Sequence, residues 1–297
     1  MRMAVCLGLT VAALASCKVH QNTEAEEKVF WNKTGELRGE RFGLGSKEIA
    51  LTLDDGPSRY SLGLAKFLAE KKAPAVFFVN YKHGENQGKE LGIARSFGLE
   101  TLKGICALKI HRIANHTDFH MLGSKEKSTQ GRLWENMQRT HEFIKEHCPQ
   151  PFYFFRSPGG NWNGEEEARN KNAQMDKEGI PLGEQYIGPV YWDFGGQQPV
   201  ADWYTNPKDG CQEFIEKCRN GYIDEVVRKG KGGIMLAHDV HAKTMELLMG
   251  RNWKALLENP KASDGADGLI VRLQKLGYTF VSLDKNKAAM KVLLNGK

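Results

Sequence analysis

Ile49-Ala50-Leu51-Thr52-Leu53 is an apolar run cut off by Asp54-Asp55-Gly56-Pro57. Ser58 follows as a candidate helix N-cap, and Tyr60, Leu64, Phe67 and Leu68 then recur at helical spacing. Ala73-Pro74 ends that helix, and a second apolar run extends from Ala75 to Val79. A strand, a turn, a helix and another strand of the same character predict a parallel pair joined by a crossover. Working outward, a third strand is expected ahead of Asn115, and helical spacing returns at Leu133, Met137 and Ile144. Pro149 and Pro151 introduce Phe152-Tyr153-Phe154-Phe155, and further apolar runs span Ile187 to Trp192, Ile234 to Ala237 and Tyr278 to Leu283. Met245, Leu248, Met249 and Leu256 form a helical pattern between the last two runs. The alternation predicts an α/β fold with a mostly parallel sheet, either a barrel or an open doubly wound sheet. Residues 194–220, rich in Gly, Pro, Asp, Asn and Gln, read as a long loop insertion.

At 297 residues the chain has room for two domains or one α/β barrel. With 40% hydrophobic and 26% charged residues it can bury a sizeable core, which excludes wholesale disorder. The net charge of +6 is spread along the chain without a Lys/Arg run or an interleaved aromatic platform. That pattern speaks against a nucleic-acid partner and suits solubility or an anionic surface such as a cell wall. Arg2, the apolar stretch Met3 to Leu14 and the small residues Ala15-Ser16 read as an export signal, too short for a mature bilayer span. Cys17 after Leu14-Ala15-Ser16 resembles the lipobox of bacterial lipoproteins, which implies cleavage before Cys17, acylation of its thiol and a lipid anchor in the membrane. Lys18, in place of an Asp, points to the outer membrane of a two-membrane bacterium, hence an exported, periplasmic or cell-envelope lipoprotein. The expected organisation is a signal peptide over 1–16, a lipidated N-terminus and tether over 17–47, and one catalytic domain over 48–297, acting as a monomer. In an oxidising compartment Cys106, Cys148, Cys211 and Cys218 remain to pair, in any of three ways. On one continuous helix Cys211 and Cys218 would stand about 10.5 Å apart, beyond disulfide reach, so they can pair only if that stretch is not helical throughout.

Ionisable residues sit where the apolar runs stop: Asp54 and Asp55 after the first, His116 after the third, Arg156 after the fourth, His238 and Asp239 after Ile234 to Ala237. Parallel α/β folds assemble their sites at those carboxyl ends. His116 and His120, at i and i+4, would face one way on a helical turn. With Asp55 they make two nitrogens and one hard oxygen, a donor set suited to a divalent metal, foremost Zn2+, with a position left open.

Leu53-Asp54-Asp55-Gly56, His116-Thr117-Asp118-Phe119-His120, Arg156-Ser157-Pro158-Gly159-Gly160 and Leu236-Ala237-His238-Asp239 occur in the order seen in the NodB-homology polysaccharide deacetylases, carbohydrate esterase family four. The chain resembles that family over roughly residues 48–284. The resemblance implies a distorted (β/α) barrel, with Asp54 as catalytic base and Asp55, His116 and His120 as metal ligands. It also makes Thr117 the hydroxyl residue that steadies the His loop, Arg156 the residue orienting the base, His238 the general acid and Leu236 a wall of the acetyl-methyl pocket. A backbone N–H near Gly159 would hold the oxyanion. The implied activity is hydrolysis of N-acetyl groups from amino sugars, with N-acetylglucosamine of peptidoglycan the expected substrate for an exported lipoprotein. Chitin-like or exopolysaccharide substrates are the alternative, and a non-catalytic wall-binding lipoprotein on the same scaffold is the binding-class alternative. A metal-independent glycosidase using Asp54 and Asp193 would leave the His pair idle.

Three departures from the family pattern stand out. Met121 replaces the usual Pro after the second His, and Gly159 replaces an aromatic. The family's Asp-Trp pair, whose Asp holds the acid His, matches Asp202-Trp203, about ten residues beyond Trp192, while Asp193 is the nearer carboxylate. Asp202 is preferred because Trp203 brings the expected aromatic wall.

Overall fold

The computed structural model describes residues 37–82, 91–120, 132–162, 172–205 and 207–295. The signal peptide, Cys17 and Met121 lie outside the described residues.

The apolar run that opens the fold is β1 (Glu48–Gly56), and residues 49–54 in it are all buried. It pairs in parallel with β2 (Ala75–Val79) on one side and β6 (Gly233–His238) on the other. A strand flanked and covered in this way buries both faces, which is why its sequence is continuously apolar and does not alternate. β3 (Arg112–Asn115) adds beyond β2, giving the order β3-β2-β1-β6, and β7 (Thr279–Phe280) pairs with the start of β1. A second, two-stranded parallel pair, β4 (Tyr153–Phe154) with β5 (Tyr186–Ile187), continues the ring through single bridges. Asn115 bridges Phe155, and Phe194, a few residues past β5, bridges Met235 of β6. Isolated bridges stand where a regular barrel would have ladders, and no closed barrel is seen among the described residues, an arrangement consistent with a distorted (β/α) barrel.

Helices α1 (Ser61–Glu70), α2 (Gly98–Ala107) and α3 (Gln138–His147) follow β1, β2 and β3. After the short α4 (Leu182–Gln185) come α5 (Ile215–Lys229), α6 (Ala242–Met249), α7 (Trp253–Glu258), α8 (Leu269–Lys275) and α9 (Lys287–Asn295). Several elements differ from their sequence reading. Ser58 does not cap α1; its hydroxyl accepts from Tyr60 N and donates to the Asp239 carbonyl, and the helix starts at Ser61. The helical pattern from Met245 to Leu256 is two helices, parted at Gly250 with φ 95°, a conformation only glycine adopts without strain. The insertion also ends earlier than expected: residues 215–220 are the opening turns of α5, where Ile215, Cys218, Arg219 and Tyr222 hold helical spacing onto the core. Residues 37–47, placed with the tether on sequence grounds, pack on the barrel through Leu37 and Phe42, both fully buried. Leu37 bridges Val190 and so adds a strap beside the ring.

The four cysteines pair as Cys106–Cys148, between the ends of α2 and α3, and Cys211–Cys218. The second is possible because Cys211 stands in the turn before α5, which brings the Cα atoms to 4.9 Å. Closing 42 residues of chain, Cys106–Cys148 contributes about 4 kcal/mol in the loop-entropy model.

Candidate active site

The first element of the site is a fault in the ladder. Asp54 pairs with Phe78 and Gly56 with Val79, so Asp55 is an extra residue, a β-bulge with φ 73°. In a regular strand adjacent side chains point to opposite faces. The bulge turns the two carboxylates toward one point: Asp54 Oδ2 lies 3.6 Å and Asp55 Oδ1 3.4 Å from His116 Nε2.

His116 and His120 do not sit on a helical turn, contrary to the reading of their spacing. The loop leaving β3 has Thr117 at φ 70° and His120 at φ 54°, left-handed conformations that cost a non-glycine residue energy and need support. Asn115 Oδ1 accepts from Thr117 N at 2.8 Å, and Asn80 Nδ2 donates to the carbonyl of Thr117 at 3.0 Å. The Asp118 carboxylate accepts from Thr140 N at 2.8 Å and Arg139 N at 3.2 Å, which pins the loop to the first turn of α3. Burial pushes Asp118 up to about 6 despite those bonds. His116 Nδ1 faces the Arg156 carbonyl at 2.9 Å, which orients the ring and turns Nε2 toward Asp54 and Asp55. His120 Nε2 is 3.2 Å from Asp55 Oδ1. One atom each of Asp55, His116 and His120 lies within 4.8 Å of the others, a donor set that fits a divalent metal. Burial opposes ionisation of Asp55, but His120 and His116 outweigh it and hold this carboxyl well below the usual range.

Asp54 belongs to a second cluster. Arg156 leaves β4 fully buried and directs Nη1 to Asp54 Oδ1 at 2.7 Å and to Thr52 Oγ1 at 2.9 Å. Its Nε and Nη2 reach the carbonyls of Val190 and Tyr191, and its guanidinium lies 4.4 Å over the Phe78 ring. Thr52 Oγ1 donates to Met235 O at 2.8 Å, so its lone pairs are turned to the arginine. Charge, hydrogen bonds and stacking leave Asp54 one orientation.

Across the β1–β6 ladder Asp54 is the register partner of His238, and Thr52 of Leu236. Paired positions on parallel strands face the same way, so His238 and the buried Leu236 look into the same space as Asp54. Asp202 supplies the carboxylate: Oδ1 meets His238 Nδ1 at 2.8 Å, while Oδ2 accepts from His238 N at 2.7 Å and Thr244 Oγ1 at 2.9 Å. Burial alone would lower the imidazole, yet Asp202, with Asp55 and Asp54 behind it, raises His238 to about 10. Asp193 is occupied elsewhere, accepting from Gly39 N at 2.9 Å and Ile234 N at 2.8 Å, which ties the strap to β6. Trp203 stands 39% exposed beside Asp202. Gly159, at φ 62°, forms the turn Pro158–Gly160 after Arg156.

The residues missed by sequence reading are the supports Thr52, Asn80, Asn115 and Thr244. A signal existed for three of them: Thr52 interrupts an apolar run, and Asn80 and Asn115 stand at the ends of β2 and β3, just as Asp54 and Asp55 stand at the end of β1.

A family model described as polysaccharide deacetylase matches residues 43–177. No curated protein matches the chain. Among solved structures, the catalytic domain of peptidoglycan N-acetylglucosamine deacetylase from Eubacterium rectale is 19% identical, with a TM-score of 0.50 over 80% of this chain and 88% of that one. Peptidoglycan deacetylase PdaC from Bacillus subtilis is 20% identical, with a TM-score of 0.50 over 82% of this chain and 92% of that one. At such identity the structures speak to the fold, and they agree with the distorted barrel. The family match stops short of Asp202 and His238, which the β1–β6 register brings to Asp54. Over residues 43–177 the chain is thus similar to the polysaccharide deacetylases, and it shares its fold with solved peptidoglycan deacetylases.

Proposed function

We propose that this protein removes N-acetyl groups from the amino sugars of a cell-wall glycan, most readily N-acetylglucosamine of peptidoglycan, releasing acetate. The observation that carries the reading is the bulge at Asp54-Asp55, which offers one carboxylate to Arg156 and the other to the His pair within a single turn of chain. Asp55, His116 and His120 would hold a divalent ion, zinc by the donor set, which would supply Lewis acidity to the amide carbonyl. Asp54, one oxygen engaged by Arg156, takes the proton of the attacking water on the other. The N–H of Gly159 donates to the oxyanion, Leu236 lines the methyl pocket and Trp203 walls the groove. His238, kept protonated beside Asp202, gives its proton to the departing nitrogen, so water and amide become acetate and a free amine. Asp193, committed to backbone amides, offers nothing to a glycosidase mechanism.

The test is direct. The metal-loaded protein, incubated with peptidoglycan fragments and with chitin oligomers, should release acetate and lower the mass of the fragment by about 42 Da per event. Faster turnover of chitin oligomers would move the assignment to the alternative glycan. Retained metal with no acetate from either would favour the wall-binding reading.

The role of Asp202 predicts a pH effect. A carboxylate beside an imidazole extends its protonated form to higher pH, and without it burial lowers the pKa. Asp202→Asn should therefore move the alkaline limb of the rate profile to lower pH, with metal content unchanged; an unmoved limb removes Asp202 from this role. We also propose that Cys17 carries the lipid that holds a monomeric enzyme at the cell envelope, in the outer membrane of a two-membrane bacterium. Cys17→Ala should leave the protein unprocessed or shift it out of the membrane fraction, and unchanged anchoring of a processed form would count against the anchor.

A further inference from the structure

Asp202 reaches His238 from an irregular stretch of chain. Between Ile187 of β5 and Ile215 of α5 the described residues form no helix, and no strand beyond single bridges at Val190 and Phe194. Yet the Asp202 carboxylate is fully buried and bonded at three points, to His238 Nδ1, His238 N and Thr244 Oγ1. A loop with few regular hydrogen bonds opens locally unless its flanks are fastened.

Both flanks of Asp202 are fastened to the same disulfide. On one side Val200 seats on α5 at Gly221, where even a Cβ would come within 2.1 Å of Val200 Cγ1, and the Val200 carbonyl oxygen lies 3.3 Å from Cys218 Sγ. On the other side Gln212 Nε2 donates to the carbonyl of Asp202 itself, and Gln212 N to that of Tyr204 at 3.1 Å. Gln212 follows Cys211, and Cys211 is bonded to Cys218. The disulfide thus joins the residue that touches one flank to the neighbour of the residue that grips the other, with Asp202 between them. It spans seven residues against the 42 of Cys106–Cys148, so it constrains the unfolded chain less. Its effect is local to the acid.

We propose that the Cys211–Cys218 disulfide, with Gln212, is a positioning device for the general acid: it clamps the chain on both sides of Asp202 and so holds that carboxylate on His238. The inference rests on the acid role given to His238 above and extends it to residues outside the reacting groups. The other charged groups facing the imidazole are Asp54 and Asp55 on β1 and His120 in the loop after β3, all on elements other than this loop. Asp239, next along the chain, is turned to Gly56. Loosening the clamp therefore withdraws Asp202 and leaves the rest of the field in place, and burial then favours the neutral ring.

The experiment takes the full zinc-loaded protein through a pH–rate profile and an NMR titration of the His238 ring. Cys211→Ala with Cys218→Ala should move the alkaline limb and the ring titration to lower pH together, in the direction expected of Asp202→Asn. The loss should grow with pH and reach at least about tenfold at pH 8, because an imidazole of ordinary pKa, about 6.5, is then protonated in only about 3% of molecules. Gln212→Ala, which leaves the disulfide closed, should shift both in the same direction by less, and it decides the matter if the cysteine variant does not fold. In an Asp202→Asn background, removing the two cysteines should add little, since the group they position is gone. Cys106→Ala with Cys148→Ala should lower the unfolding temperature and leave both titrations in place, which separates clamping from general stability. Unmoved titrations in the cysteine variant or in Gln212→Ala would overturn the inference. So would a shift that adds in full to that of Asp202→Asn, or an equal shift on loss of Cys106–Cys148. If the parent protein releases no acetate, the deacetylase reading fails, while the ring titration still decides the clamp.

Discussion

Asp54→Asn should retain its metal and lose about 10²- to 10⁴-fold of its turnover, roughly 3 to 5 kcal/mol of barrier. The substitution keeps shape and one acceptor oxygen, so Arg156 Nη1 and the bulged backbone retain a partner for their geometry. The amide cannot accept a proton from water; because the buried Arg156 also loses its charge partner, the unfolding temperature is measured alongside. The proposed ligands Asp55, His116 and His120 are unaltered, so metal content by elemental analysis should match the parent. Loss of metal from this variant would place Asp54 among the ligands and sink the division of labour between the two carboxylates. Removing the arginine would be a poorer probe: Arg156 is fully buried, and the hole left by it would unpair Asp54, Thr52 and two carbonyls together.

The second large effect belongs to the His pair. His116→Ala with His120→Ala leaves Asp55 as the remaining side chain of the cluster, and one carboxylate cannot hold a divalent ion against a chelator. Metal should fall to background after dialysis and acetate release with it. His116 is 2% exposed, so its removal opens a cavity and frees the Arg156 carbonyl, and a misfolded product could imitate the result. His120→Gly alone answers that concern. Its side chain is 26% exposed and its φ is 54°, so glycine relieves backbone strain while taking away a ligand. It should unfold at close to the parent temperature and bind metal more weakly by at least about tenfold. Full metal affinity in His120→Gly would remove His120 from the site.

Much of this architecture could be read in advance because it depends on local pattern. β1, β2 and β6 are apolar runs ended by carboxylate, amide or imidazole, and burial on both faces dictates that composition wherever such a strand occurs. The reactive residues could be found for the same reason: a chain that stops being apolar at the carboxyl end of a strand has reached the site's rim. Reading by periodicity misled where backbone conformation departs from regular values. The spacing of His116 and His120 suggested a helical turn, and two left-handed residues produce the convergence instead. The bulge at Asp55 leaves no mark in composition, because it is a property of register against β2.

The amino-acid sequence by itself determined which strands form, which residues stand at their ends, and that a set able to hold a metal was among them. Hydrophobic period and strand-end chemistry are local, and short-range sterics express them without reference to the rest of the chain. Partners distant in sequence it did not fix: the preference for Asp202 over Asp193 comes from the family resemblance, with no local feature of the chain to decide between them. Asp193 lies nearer to the end of its run than Asp202, yet it bonds Gly39 and Ile234, and Asp202 takes His238. The Gly-rich stretch between them folds back, and Gly195, at φ 87°, packs against Tyr222 of α5 and the Leu236 carbonyl with no room for a side chain. Which carboxylate reaches which imidazole follows from the path of that loop over α5 and β6. A path is fixed by the packing of the surfaces it crosses, and those surfaces exist only once the barrel has formed.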